Sequence, residues 1–326
     1  MSEKITKIRK ELFSHGVKQL ASTYDLCLWP GSNCKNKAIR AHSVQNNGIL
    51  DLLCHNGHVI MPKLKLSFPQ PPKFVFREVG RNKATTFTGL CADHDQELFR
   101  PIEINAIDLK NKTHLFLLAY RAVLKEVHAS RKAGIDTQTN YLMGTERGLF
   151  PKDEPSAPGM LAVEQMMAAY LVEETKIEFE KAFFAKDWAC IGHEILEIDV
   201  SPALAVNSMF STDLWSEEYD GPAFVILNIF PSNGKTAVVF SYLKQNRSQI
   251  QKAYPTILNS NGHYMEYELS KLILRKCENF AISPRLYNQF GMKQREAIAQ
   301  FFERNSAGHI YDIEDHRLFL FAPILD

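Results

Sequence analysis

The sequence predicts an α+β protein built from a basic N-terminal zinc-binding domain, long central helices and a C-terminal α+β domain with an antiparallel sheet. Three observations carry this reading. Cys27 with Cys34 and Cys91 with His94 form two pairs of metal-type ligands, the second at the head of an apolar, helix-like run. Two long segments with helical apolar spacing follow, at about 113–133 and 160–186. Beyond Trp188 the pattern turns to short apolar runs, two of them joined by the turn residues PSNGK. At 326 residues the chain has room for more than one core, and the expected units are 1–108, a helical connector 109–187 with a linker near 148–159, and 188–326.

Composition narrows the class. With 45% hydrophobic and 23% charged residues the chain lies in the globular range. No apolar run approaches the roughly 18 residues of a membrane span, and MSEKITKIRK lacks the apolar core of a signal peptide, so no membrane partner and a cytoplasmic location are the expectation. Six cysteines are too sparse for a disulfide framework, which leaves metal binding or burial. The net charge of +1 conceals a segregation: residues 1–90 hold 14 Lys and Arg against five acids, and the remainder 24 against 32. A basic N-terminal region suits a polyanion, nucleic acid first.

The elements follow in order. Ile5, Ile8, Leu12, Val17 and Leu20 mark an amphipathic helix over about 3–21. In TYDLCLWPGSNCKNKAIRAHSVQNN, Pro30, Gly31, Ser32 and Asn33 turn the chain between two cysteines and KAIRAHS resumes as a short strand, a small hairpin. Residues 48–58 form a helix before Gly57, and 61–80, interrupted by SFPQPPKF, reads as an irregular insertion. A helix starts at Asp93 or Asp95, where a carboxylate can accept from free backbone amides. Leu115, Leu118, Ala119, Ala122, Val123 and Val127 share one face of the next helix, ended near Gly134. GLFPKDEPSAPG is the linker. The second long helix carries Met166, Met167, Tyr170, Phe179, Phe183 and Phe184, a core or helix-pairing face that offers a route to a homo-oligomer or a protein partner. ILEIDV, PAFVILNIF and TAVVFSYL are strands, helices lie near 246–258, 263–277 and 284–305, and HRLFLFAPIL closes the chain as a strand.

Cys27, Cys34, Cys91 and His94 together make a Cys3His set, enough to complete a tetrahedral structural zinc site split between a hairpin knuckle and a helix N-terminus, as in treble-clef folds. Cys54, His55 and His58 in CHNGHV compete, but nothing nearby completes four ligands, and they read as a helix end and a turn. His193 and Glu194 in GHEILEID lack the second His of a zinc-protease helix and read as an exposed turn. Asp213, Glu217, Glu218 and Asp220 form an acidic run typical of a solvated loop, and the GKT of PSNGKT lacks the glycine spacing of a phosphate loop.

Between the ligand pairs lies IRAHSVQNN. A cysteine pair, a strand-end His, following Asn residues and a second ligand pair opening a helix together resemble the HNH endonuclease group of treble-clef (ββα-metal-like) folds. AHSVQN with FTGLCADHDQELF also looks like an uncharacterised bacterial family of zinc-binding proteins. The resemblance covers residues 24–104. It implies His42 as general base, Asn46 or Asn47 as the middle Asn, and Asp95 in place of the family's last metal-binding His. It also implies Mg²⁺ or Mn²⁺ as the catalytic ion, nucleic acid as substrate and, by analogy, a place in bacterial phage defence. Two departures stand out: Ala41 occupies a position where many members carry an acid or His, and Asp95 replaces a His. Asp93 or Asp51 are the carboxylates left to compensate. The rival reading is a non-catalytic zinc module that binds nucleic acid or a protein, with the C-terminal domain serving assembly or sensing.

Overall fold

The computed structural model describes residues 3–22, 24–31, 34–199, 203–214, 221–306 and 311–323. In chain order its elements are α1 (Glu3–Ala21), β1 (Arg40–His42), a π-helical turn (Asn46–Leu50) running into α2 (Asp51–Leu53), the hairpin β2 (His58–Ser67) and β3 (Gln70–Gly80), β4 (Thr86–Thr88) and α3 (Ala92–Glu103). Then come α4 (Lys112–Glu146), α5 (Ala157–Ala185), and the strands β5 (Ile191–Ile198), β6 (Leu204–Ser211), β7 (Phe224–Ser232) and β8 (Lys235–Leu243). The chain closes with α6 (Arg247–Ala253), α7 (Pro255–Asn259), α8 (Gly262–Lys276), β9 (Phe280–Ile282), α9 (Pro284–Tyr287) and α10 (Met292–Ser306).

Two sheets result, a two-stranded pair β1–β4 and an antiparallel seven-stranded sheet in the order β3-β2-β9-β6-β7-β8-β5. The larger sheet is the middle of three layers. One face, with Val225, Leu227, Val238 and Phe240, packs under α8 and α10; the other, with Met209, Ile226 and Val239, shares a core with α4, α5 and the N-terminal elements. Alternate residues of one strand thus serve opposite cores, as the two-residue period of a strand requires. The β7–β8 turn puts Asn233 and Gly234 at φ 50 and 78, the left-handed positions that the Asn-Gly pair supplies with little strain.

Four expectations are corrected. The stretch 61–80 is not irregular but forms most of the β2–β3 hairpin, and its prolines are tolerated because β3 is an edge strand and β2 meets β9 only at Ile60, leaving Pro62 without an amide to supply on that side. This hairpin belongs to the large sheet, so sheet and core run across the boundary expected at 108. The helix expected to end near Gly134 continues to Glu146. A Cβ at Gly134 would stand 2.9 Å from the Met166 sulfur, so the glycine allows close approach of α5 rather than stopping α4. Finally, of HRLFLFAPIL the described residues 316–323 form a single 3-10 turn, His316–Leu318, and otherwise irregular chain packed with α8 and α10, while Ile324 and Leu325 lie outside the described residues.

The first three turns of α4 are buried on every side, from His114 through Leu124, which places this helix inside the shared core. Arg121 lies in that run and is 3% exposed. Strand β6, not expected from the sequence, is read over by its buried polar residues: Asn207 and Ser208 interrupt the apolar pattern, and Asn207 donates its amide to the Asn228 side chain on β7 at 2.8 Å. Of the acidic run, Asp213 pairs with Arg275 and Lys276, while Glu217, Glu218 and Asp220 lie outside the described residues.

Candidate metal centre and adjoining site

The metal centre is assembled by backbone pairing. The Leu28 amide donates to the Gly89 carbonyl at 2.8 Å and the Ile39 amide to the Leu90 carbonyl at 2.7 Å, which lays both arms of the Cys27–Cys34 loop against the chain entering α3. Gly31, at φ 90, takes the turn of that loop. Cys91 is the N-cap of α3, and His94 follows in its first turn, so helix geometry turns the spacing of three into two ligands on one side.

Cys27, Cys34, Cys91 and His94 bring their ligand atoms within 4.8 Å of one another. The Cys34 and Cys91 sulfurs are 3.8 Å apart, and His94 Nδ1 is 3.4 Å from the Cys27 sulfur and 3.3 Å from that of Cys91. A tetrahedral zinc with arms of about 2.3 Å to sulfur and 2.0 Å to nitrogen has ligand–ligand edges of roughly 3.5–3.8 Å. The group can therefore hold a metal ion, and its donors and spacing suit zinc. Burial pushes the metal-free Cys27 thiol up to about 11, against the amides of Cys91 and Trp29 that hydrogen-bond to it. Burial also acts to raise Cys91, but the amides of His94 and Asp93 and the neighbouring sulfurs outweigh it and the net shift is downward. Trp29 stacks on the His94 ring with centroids 4.1 Å apart and planes 10° from parallel, and Phe183 of α5 meets Trp29 edge-on. Among the described residues this is the one group of three or more His, Cys, Asp or Glu side chains clustered closely enough to share an ion. Cys54 donates to the Asp51 carbonyl, while His55 and His58 sit in a tight turn, His55 accepting from Arg285.

His42, expected as the general base, ends β1 opposite Thr86 of β4 and lies outside the Cys3His group. Its Nε2 is 3.2 Å from the Arg81 carbonyl. With the proton on Nε2 and donated to that oxygen, Nδ1 is left as the acceptor nitrogen. Burial lowers its pKa, opposed by the Arg81 carbonyl and Glu103, so the neutral ring is favoured. Asp95 lies in the first turn of α3, and burial raises its carboxyl while Arg121 opposes the shift. Arg121 and Glu103 act on both His42 and Asp95, which puts the two in one electrostatic neighbourhood. Asn46 opens the π-helical turn with a buried Oδ1 that has no protein hydrogen-bond partner among the described residues, and Asn47 is exposed. Asp51 is held by Arg81, and Asp93 is exposed.

Sequence reasoning missed Trp29, Glu103 and Arg121. Arg121 Nη1 binds Glu103 at 2.6 Å, and its guanidinium lies 4.1 Å over the Phe99 ring. The available signal was a lone charge in the apolar run FLLAYRAVL, which a helix buried on all sides must pair. His193 is not in an exposed turn. It lies within β5, its Nδ1 2.9 Å from Ser241 Oγ, and burial lowers its pKa to about 4.

Lys7, Lys10 and Lys18 of α1 and Arg147, which caps the C-terminus of α4, line a shallow depression. A separate cavity of about 480 Å³ between α4, α5 and the sheet carries Lys125, Glu126, Lys276 and Glu278, and neither the Cys3His group nor His42, Asn46 or Asp95 lines it. No described helix is long and apolar enough to cross a membrane.

Together, fold and site define a mixed α+β protein with a Cys3His group that could hold a metal ion and a half-buried histidine, His42, at the end of β1. Comparison with protein-family models, curated proteins and solved structures finds no match to this chain.

Proposed function

We propose that the chain is a metal-dependent, HNH-like endonuclease whose zinc module is structural and whose base is His42. The observation that carries this reading is the setting of His42: one nitrogen faces the Arg81 carbonyl, burial favours the neutral ring, and the residue shares the charges of Arg121 and Glu103 with Asp95 while staying outside the Cys3His group. The local order of β1, its antiparallel partner β4 and then α3 is the ββα arrangement that such a site needs. The exposed lysines of α1 give a nucleic-acid backbone its counter-charge.

In this mechanism Cys27, Cys34, Cys91 and His94 would hold zinc, which would fix the knuckle to the head of α3 and supply structure rather than chemistry. His42 Nδ1 accepts a proton from water as the oxygen forms a bond to phosphorus and the phosphorus–oxygen bond to the leaving strand breaks. Asn46, with its buried Oδ1 left without a protein partner among the described residues at the start of the π-helical turn, takes the place of the middle Asn. Asp95 is the residue that would hold a divalent ion such as Mg²⁺ or Mn²⁺, which would supply charge stabilisation at the phosphate.

A second reading rests on a specific observation. Ala41 contributes no ligand, and His42 and Asp95 belong to no second cluster of three ligand groups among the described residues. That favours a non-catalytic zinc module that binds nucleic acid or a protein partner. Nicking and cleavage of plasmid DNA and of RNA with Mg²⁺ or Mn²⁺, compared between wild type and His42→Ala with bound zinc measured in both, separates the two. Cleavage lost with zinc retained supports the nuclease; an inactive wild type supports the binding module.

A further inference from the structure

Helix α5 is apolar on two opposite faces, and the fold uses one. Ala169, Val172, Phe179 and Ala182 are buried against the body of the protein. On the far side Met160, Val163, Met167, Tyr170, Ile177 and Phe184 are each between 43% and 62% exposed. Their spacing alternates three and four residues, with Glu174 and Lys181 filling the two positions that complete the series. That is the seam of a two-stranded coiled coil, sustained over more than three heptads.

We infer that this face pairs with the same face of a second copy, the two α5 helices running antiparallel about a twofold axis near residue 172. Charge decides the direction. A parallel pair would set Glu174 against Glu174 and Lys181 against Lys181. The antiparallel pair instead sets Phe184 against Met160, Ile177 against Met167, Glu174 against Tyr170 and Lys181 against Val163, with Glu164 of the second copy within reach of the Lys181 ammonium. Lys181 already binds Glu178 at 2.6 Å, so that carboxylate is neutralised where it nears Glu164. Glu174 already acts on the Tyr170 hydroxyl within one helix, raising its pKa, and in the pair the same two groups meet again across the axis.

Size agrees with orientation. The six side chains leave on the order of 700 Å² uncovered per chain, close to the roughly 800 Å² per partner of a standard interface. The seam ends beside the metal centre, since Phe184 approaches Gly31 of the knuckle and its neighbour Phe183 touches Trp29. The two metal centres of a dimer would accordingly lie at opposite ends of the paired helices. The inference stands without the nuclease reading.

Sedimentation equilibrium of the full chain over a concentration series tests it. Wild type is expected as a dimer, and Met167→Glu with Tyr170→Glu as a monomer that keeps its zinc and circular dichroism spectrum. Mixing Met160→Cys chains with Phe184→Cys chains under mild oxidation should give a mixed disulfide between residues 160 and 184. A wild type that is monomeric at all concentrations overturns the proposal, as does a dimer unchanged by the double variant. Disulfides joining residue 160 to 160 would overturn the antiparallel register.

Discussion

Asn279 donates its side-chain amide to the hydroxyl of Ser43 at 2.8 Å, across 236 positions of sequence, with both residues buried. The same amide reaches the Asn207 carbonyl at 2.7 Å, and Ser43 directly follows His42. The strand end bearing the candidate base is thus fastened to the middle of the seven-stranded sheet, where β9 and β6 pair. The C-terminal half is part of the scaffold of the N-terminal site.

Asn279→Ala should destabilise the protein by about 1–3 kcal/mol, because it strands a buried hydroxyl and a buried carbonyl. Urea denaturation measures the loss. If the sheet positions His42, cleavage should fall by more than the folded fraction accounts for.

His42→Ala is expected to lower cleavage by about 100-fold or more while zinc content stays at one per chain. The pH profile carries an independent sign. The His42 pKa is lowered by burial, so activity should hold as pH falls to the ordinary histidine value and decline only below it, as Nδ1 becomes protonated. A decline centred above pH 7 would assign the titration to another group.

Trp29→Ala removes the ring stacked on His94 and opens the centre toward α5. Zinc affinity should fall by roughly 10–100-fold, as for other groups that orient a ligand from behind. Chelator competition reads this directly. Affinity in wild type should also rise with pH, since zinc binds the thiolate and burial holds the metal-free Cys27 as thiol up to about 11.

Arg121→Ala should cost about 2–4 kcal/mol. It leaves Glu103 without its partner, opens a gap over Phe99 and removes a cation that acts on both His42 and Asp95. Arg121→Met, which keeps the packing, should recover part of the stability and none of the electrostatic effect.

Acid should weaken the fold before its carboxylates titrate. Burial lowers His128 and His193 to about 4, so the unfolded chain takes up protons that the folded chain refuses. Their contribution is intact above about pH 6.5 and is lost as pH falls toward 4, on the order of 2 kcal/mol for each histidine between pH 7 and 5. Urea midpoints at the two pH values check this, and His193→Gln should flatten the slope.

The Cys3His group was legible in the sequence because its two pairs are set by local rules. A spacing of three places Cys91 and His94 on one side of a helix start, and a Pro-Gly turn closes the loop from Cys27 to Cys34. Helix α1, the start of α4, helix α5 and the β7–β8 turn were legible for the same reason: a 3.6-residue apolar period and an Asn-Gly pair. Tertiary structure alone decided what those elements meet. Prolines argued against strands at 61–80 until the sheet gave them an edge, Gly134 resembled a helix stop until α5 lay across it, and Arg121 had no visible partner until α3 brought Glu103 within 2.6 Å. Local signals report hydrogen bonds and rotamers within a few residues of each other. Strand pairing, burial of a charge and the fastening of Ser43 to Asn279 depend on groups far apart in sequence, whose meeting is fixed only by the packed whole.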